Sequence, residues 1–60
     1  MKLVAIRQKQ GLSQRALAKL SRVTNVTIAR IESGVYDPRL STLRRLAKAL
    51  KAKVADLIDE

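Results

Sequence analysis

Only three residues, Ser21-Arg22-Val23, separate two helical segments of this chain, and a connection so short is the tightest constraint on its fold. Ser13 is a good N-cap for a helix near 14–20, in which Leu17 and Leu20 are expected inward and Arg15 and Lys19 outward. Thr24 caps the next helix, and Gly34 supplies its C-terminal stop. Ala18 is small where the two helices must approach. Leu17, Leu20, Val23, Ile28 and Ile31 are expected to supply the apolar contact between them and the rest of the core.

Three further helices can be read around this pair, and no strand pattern appears. In the first, about 2–10, Leu3, Ile6 and Gln10 share one face with Arg7 at its edge, and Gly11-Leu12 breaks the run. Val35-Tyr36-Asp37-Pro38 forms a loop, because Pro38 restricts itself and the residue before it. A fourth helix, about 39–51, carries the stripe Leu40, Leu43, Leu46, Ala47 and Leu50. Its other face holds Arg44, Arg45, Lys48 and Lys51, read as solvated charges. A last short helix, about 53–58, presents Val54, Leu57 and Ile58 to the core. The expectation is a compact all-α chain of five helices, with residues 1–60 as one domain. A chain of this length buries only about 60% of its unfolded surface, so local signals must agree closely for it to hold together.

Composition removes several classes of function. With no cysteine and no histidine, disulfides are excluded and the usual zinc and c-type haem sites lack ligands; no metal or other cofactor is expected. No apolar run approaches the roughly 18 residues of a membrane span and no signal peptide is visible, so the expected location is the cytoplasm. Thirteen Lys and Arg face five Asp and Glu, and three of those acids are Asp56, Asp59 and Glu60. The first 55 residues thus set thirteen cations against two acids, for +11. Such density implies a polyanionic partner. Tyr36 is the single aromatic residue, which argues against single-strand binders that stack bases on several rings.

The three-residue spacing is that of a helix-turn-helix, whose second helix lies in the DNA major groove. With Ile28 and Ile31 inward, 3.6 residues per turn places Asn25, Val26, Ala29 and Arg30 outward. A solvated face in so charged a chain would carry Lys and Glu. This one is small, half apolar and armed with one amide and one guanidinium. Asn25 suits bidentate pairing with adenine and Arg30 with guanine, while Val26 and Ala29 suit a thymine methyl. The plainer account, that Val26 and Ala29 are tolerated surface residues, has weight because single exposed apolar side chains are common.

The run LSQRALAKLSRVTNVTIARIESG, followed by DPRLSTLRRLAKAL and VADLI, resembles the phage repressor and Cro family of helix-turn-helix domains, the XRE or lambda-repressor-like type, from about Leu3 to Ile58. The resemblance implies a five-helix domain, its helix-turn-helix at about 14–32, that binds a palindromic operator in double-stranded DNA as a homodimer. Bases would be met by Thr24, Asn25, Val26, Ala29 and Arg30. Gln14 would grip a phosphate at the start of its helix, where the dipole favours an anion. Arg15, Thr27, Ser33 and Arg39 are further phosphate candidates, with Lys9 and Arg22 adding long-range attraction. The family also pairs an arginine and a glutamate at the positions of Arg7 and Glu32. Two residues depart from its pattern: Arg22 and Lys51 stand where glycine is usual.

The resulting expectation is a sequence-specific transcriptional regulator, a repressor of prokaryotic or phage type, with no small-molecule ligand and no enzymatic activity. An antitoxin that regulates its own operator and a protein-docking module on the same fold are the alternatives. A cationic membrane-active peptide fits poorly, because caps and turns at such regular intervals specify a packed chain.

Overall fold

Ser13 and Thr24 each turn a side-chain oxygen back onto the helix that follows. Ser13 Oγ accepts from the Ala16 N–H at 3.0 Å and Thr24 Oγ1 from the Thr27 N–H at 3.1 Å. Each thereby satisfies one of the donors that a helix start leaves unpaired. In the computed structural model, which describes residues 1–58, the helices are α1 (Leu3–Lys9), α2 (Gln14–Ser21), α3 (Asn25–Glu32), α4 (Leu40–Ala49) and α5 (Val54–Ile58). No strand occurs among the described residues. α2 packs on both α3 and α4, α4 on α5, and α5 on α1.

Four left-handed residues stop the first four helices: Gly11, Arg22, Gly34 and Lys51. After α3, Gly34 N–H donates to Ile31 O at 3.1 Å and Val35 N–H to Arg30 O at 3.0 Å, the paired bonds of a Schellman motif. Gly11 and Leu12 make the same pair onto Gln8 and Arg7, and Lys51 and Ala52 make it onto Lys48 and Ala47. The lysine at position 51 therefore keeps the stop that a glycine would supply, at φ 54°. Arg22, at φ 60°, closes α2 with its N–H on Ala18 O. A non-glycine residue in this region costs roughly 1–2 kcal/mol.

The core is Leu3, Leu17, Val23, Ile28, Ile31, Leu43, Leu46, Ala47, Leu50 and Leu57, drawn from every helix and from the turn. Three residues read as core from their spacing are exposed instead: Leu20 (60%), Leu40 (54%) and Ile58 (49%). In α2 the buried arc runs through Leu17 and Ser21 rather than Leu17 and Leu20. Ser21 is buried, and its Oγ accepts from the Val23 N–H at 3.2 Å, so a hydroxyl fills the inward position at the turn. Leu40 is the first residue of α4, directly after its N-cap Arg39, at the edge of the stripe. Ile58 closes α5 about 100° around from the buried Leu57. Gln10, read as part of the inward face of α1, works by its amide: Nε2 donates to Leu50 O at 2.7 Å and ties α1 to the end of α4.

Candidate nucleic-acid interface

α3 divides cleanly into two faces. Ile28 and Ile31 are buried on one side, whereas Asn25, Val26 and Arg30 are exposed and Ala29 is half-buried on the other. Val26, at 58% exposure, is an apolar side chain held in solvent between an amide and a guanidinium. Thr24 and Thr27 are hydrogen-bonded to each other, with the Thr24 hydroxyl donating to Thr27 Oγ1 at 2.7 Å. The Thr24 side chain is thus committed to starting the helix, and Asn25 is the first residue of α3 whose side chain is unengaged.

The N-terminal turn of α2 presents Arg15, exposed, and Gln14, half-buried. Among the described residues the backbone N–H groups of Gln14 and Arg15 have no acceptor, while Ser13 caps Ala16. Two free N–H groups at the positive end of a helix dipole, beside an arginine, form an anion-attracting corner. Ser33 follows α3, and its Oγ donates to Arg30 O at 3.0 Å. Arg39 is exposed at the start of α4.

Behind this surface lies the ion pair that sets the relation of α1, α2 and α3. Arg7 Nε is 2.7 Å from Glu32 Oε2, and Arg7 Nη2 donates to Oε1 at 3.0 Å, a two-pronged contact between side chains exposed by only 11% and 7%. Arg7 Nη1 also donates to Leu12 O at 2.7 Å, and Gln14 Nε2 to Glu32 Oε1 at 2.9 Å. A carboxylate on the last residue of a helix opposes the dipole, so Glu32 needs these donors. Its burial works to raise its pKa; hydrogen bonds from Arg7 and Gln14, with the Arg7 charge, together outweigh that and leave it below the ordinary carboxylate value. The hydrogen bond to Glu32 raises the Arg7 pKa above its usual value, burial opposes it, and the carboxylate's charge adds to the rise.

Gln14, expected to face a phosphate, therefore has its amide nitrogen anchored on Glu32, which leaves one N–H to point elsewhere. Nothing in the sequence near position 14 announces that partner, 18 residues away. The Gln10 bond to Leu50 O was likewise missed, because a backbone carbonyl at a helix end has no residue signature. Among the described residues no group of acids, histidines or cysteines is placed to hold a metal ion. No helix there is long and apolar enough to cross a membrane.

A family model described as helix-turn-helix matches residues 3–57, nearly the whole chain. The chain belongs to the helix-turn-helix family, XRE type. Among curated proteins this helix-turn-helix is 41% identical over 59 residues to the HTH-type transcriptional regulator PuuR of Escherichia coli (strain K12), covering 98% of the chain and 32% of PuuR. It is 42% identical over 52 residues to antitoxin HigA1 of Mycobacterium tuberculosis, covering 87% of the chain and 35% of HigA1. An uncharacterized HTH-type transcriptional regulator of Methanocaldococcus jannaschii, MJ0272, is 39% identical over 56 residues, which is 93% of the chain and 85% of that protein. The chain thus spans about a third of the length of PuuR and HigA1. No solved structure gives a significant match.

Proposed function

We propose that this helix-turn-helix binds double-stranded DNA as the reading module of a transcriptional regulator, entering the major groove with α3 and acting as a repressor by occupying a promoter. The observation that carries the reading is the outward face of α3. Asn25, Val26, Ala29 and Arg30 line up opposite the buried Ile28 and Ile31, a set with the donor, acceptor and methyl-sized groups that base edges require. Thr24 contacts the groove through its methyl and backbone. Gln14, Arg15, Thr27, Ser33 and Arg39 hold flanking phosphates, with the free N–H groups of α2 assisting. Two copies bind a palindromic operator in the cytoplasm, no cofactor takes part, and the action is one of binding rather than chemical catalysis. The likeness to PuuR, an HTH-type transcriptional regulator, supports this reading.

Selection of bound duplexes from a random-sequence pool at about 150 mM salt tests it, with Asn25→Ala and Arg30→Ala beside the wild type. The expected result is a palindrome with half-sites about one helical turn apart, degraded at defined positions by each substitution. Absence of enrichment, or enrichment indifferent to both changes, overturns sequence reading by this face.

The likeness to antitoxin HigA1 favours a second reading, in which the same module binds its own operator and the protein also neutralises a toxin. Rescue of growth on co-expression with the product of an adjacent gene that is toxic alone separates this from a dedicated repressor.

A further inference from the structure

The C-terminal end of α2 and the outer side of α4 enclose an open groove of about 880 Å³ lined by Leu20, Ser21, Arg22, Arg45, Lys48 and Ala49. No residue of α3 contributes to it. Gln14 and Arg15 lie about 9 Å away at the other end of α2, by the rise of a helix. Leu20 is the exposed apolar centre, and Arg22, Arg45 and Lys48 form a cationic rim. None of the three cations has a side-chain hydrogen bond or ion pair among the described residues, where the Arg7–Glu32 pair is remote from them in sequence and absent from the groove. Arg22 stands in left-handed backbone, where glycine would be cheaper, and so keeps a positive charge at this rim against a conformational cost.

We propose that this groove docks an acidic segment of another protein that carries an aliphatic anchor. The partner's aliphatic anchor would cover Leu20 and remove both apolar surfaces from water, and carboxylates would meet the guanidinium forks of Arg22 and Arg45 and the ammonium of Lys48. A DNA backbone supplies the negative charge, but its deoxyribose edges offer Leu20 only a small C–H surface in place of an aliphatic side chain. A lipid surface needs a broader apolar face than one leucine and one alanine provide. The inference does not depend on the DNA-reading proposal, because the two surfaces share no side chain of α3.

The test is a titration of the ¹⁵N-labelled chain with a short fluorescein-labelled polyglutamate peptide carrying leucines at helical spacing, beside the same peptide with serine in place of leucine. Saturable shifts confined to the amides of residues 20–22 and 45–49 are expected. Affinity should fall at least about tenfold in Leu20→Ser, and again in an Arg45→Gln/Lys48→Gln variant that leaves Leu20 intact. Equal binding of the leucine-free peptide, displacement of the peptide by a DNA duplex from the same amides, or shifts centred on α3 would each overturn the proposal. Concentration-dependent shifts of these amides in the chain alone would do so too, assigning the groove to a second copy. Circular dichroism checks that each variant is folded, and fluorescence anisotropy gives the affinities.

Discussion

Arg7, in the first helix, closes on Glu32, the last residue of the third, with two hydrogen bonds of 2.7 and 3.0 Å between side chains that are almost wholly buried. The contact spans 25 positions of sequence and collects Leu12 and Gln14 as further partners. The guanidinium holds the carbonyl of Leu12, just before α2, and the carboxylate at the end of α3, and that carboxylate in turn holds Gln14. Pairs of this kind fix position more reliably than they add stability, whereas removing one partner strands a buried charge.

Replacing Arg7 with Ala should therefore destabilise the chain by about 3–5 kcal/mol. In a chain this small each kcal/mol moves the midpoint by roughly 4–8 °C, so Arg7→Ala is expected to be largely unfolded at 37 °C. An Arg7→Met/Glu32→Leu pair should recover most of the loss. Thermal denaturation of the single and double variants measures this, and a double variant less stable than Arg7→Ala would contradict the stranded-charge account.

Acid should reveal the same pair. Glu32 titrates below the ordinary carboxylate value when folded. The unfolded chain therefore binds more protons between the folded pKa and the unfolded value of about 4.3, and stability rises with pH across that window. The contribution is complete above about 4.3 and is lost as pH falls through the folded pKa. The Arg7 shift acts in the opposite sense, far above neutrality, and leaves this window untouched. Melting temperatures from pH 7 downward should fall more steeply in the wild type than in Glu32→Gln, whose glutamine does not titrate.

Arg22 and Lys51 both hold left-handed backbone without a glycine's freedom. Arg22→Gly and Lys51→Gly should each stabilise the fold by about 1 kcal/mol. Gly34→Ala should do the reverse by a similar amount, for conformational reasons alone, since among the described residues no heavy atom beyond its chain neighbours lies within 4 Å of the added methyl. Chemical denaturation midpoints of the three variants check the signs together.

Binding of an operator by two copies, with about five phosphates neutralised by each, should give a slope on the order of −9 in log K against log salt. Arg15→Gln should make that slope shallower by about 1 per monomer without altering which bases are preferred. Asn25→Ala and Arg30→Ala should each cost about 1–3 kcal/mol on the preferred site and little on random duplex. Filter-binding or anisotropy titrations across a salt series measure all four proteins.

The helix starts and stops were legible because their chemistry is local: Ser13, Thr24 and Gly34 act on backbone groups within a few residues of themselves. The inward faces of α3 and of the middle of α4 followed from period alone. Leu20 did not, since periodicity assigns an angle but not the extent of the covering neighbour. Leu17 is flanked by Leu20 about 60° to one side and Ser21 about 40° to the other, and the fold buries the serine. Apolar preference favoured the leucine, and the closeness of the turn decided otherwise. Gln10 and Gln14 were visible as residues but not as clamps, because their partners, Leu50 O and Glu32, are brought near only by the assembled bundle.

The stops after α1, α3 and α4 are written in main-chain hydrogen bonds, and Lys51 makes the same two as Gly11 and Gly34. Such a stop is blind to the side chain that occupies it, apart from a fixed conformational penalty. Position 51 is consequently an interchangeable part, at which surface charge can change without redrawing the path of the chain, and the spare stability of the rest of the fold sets whether such an exchange is tolerated.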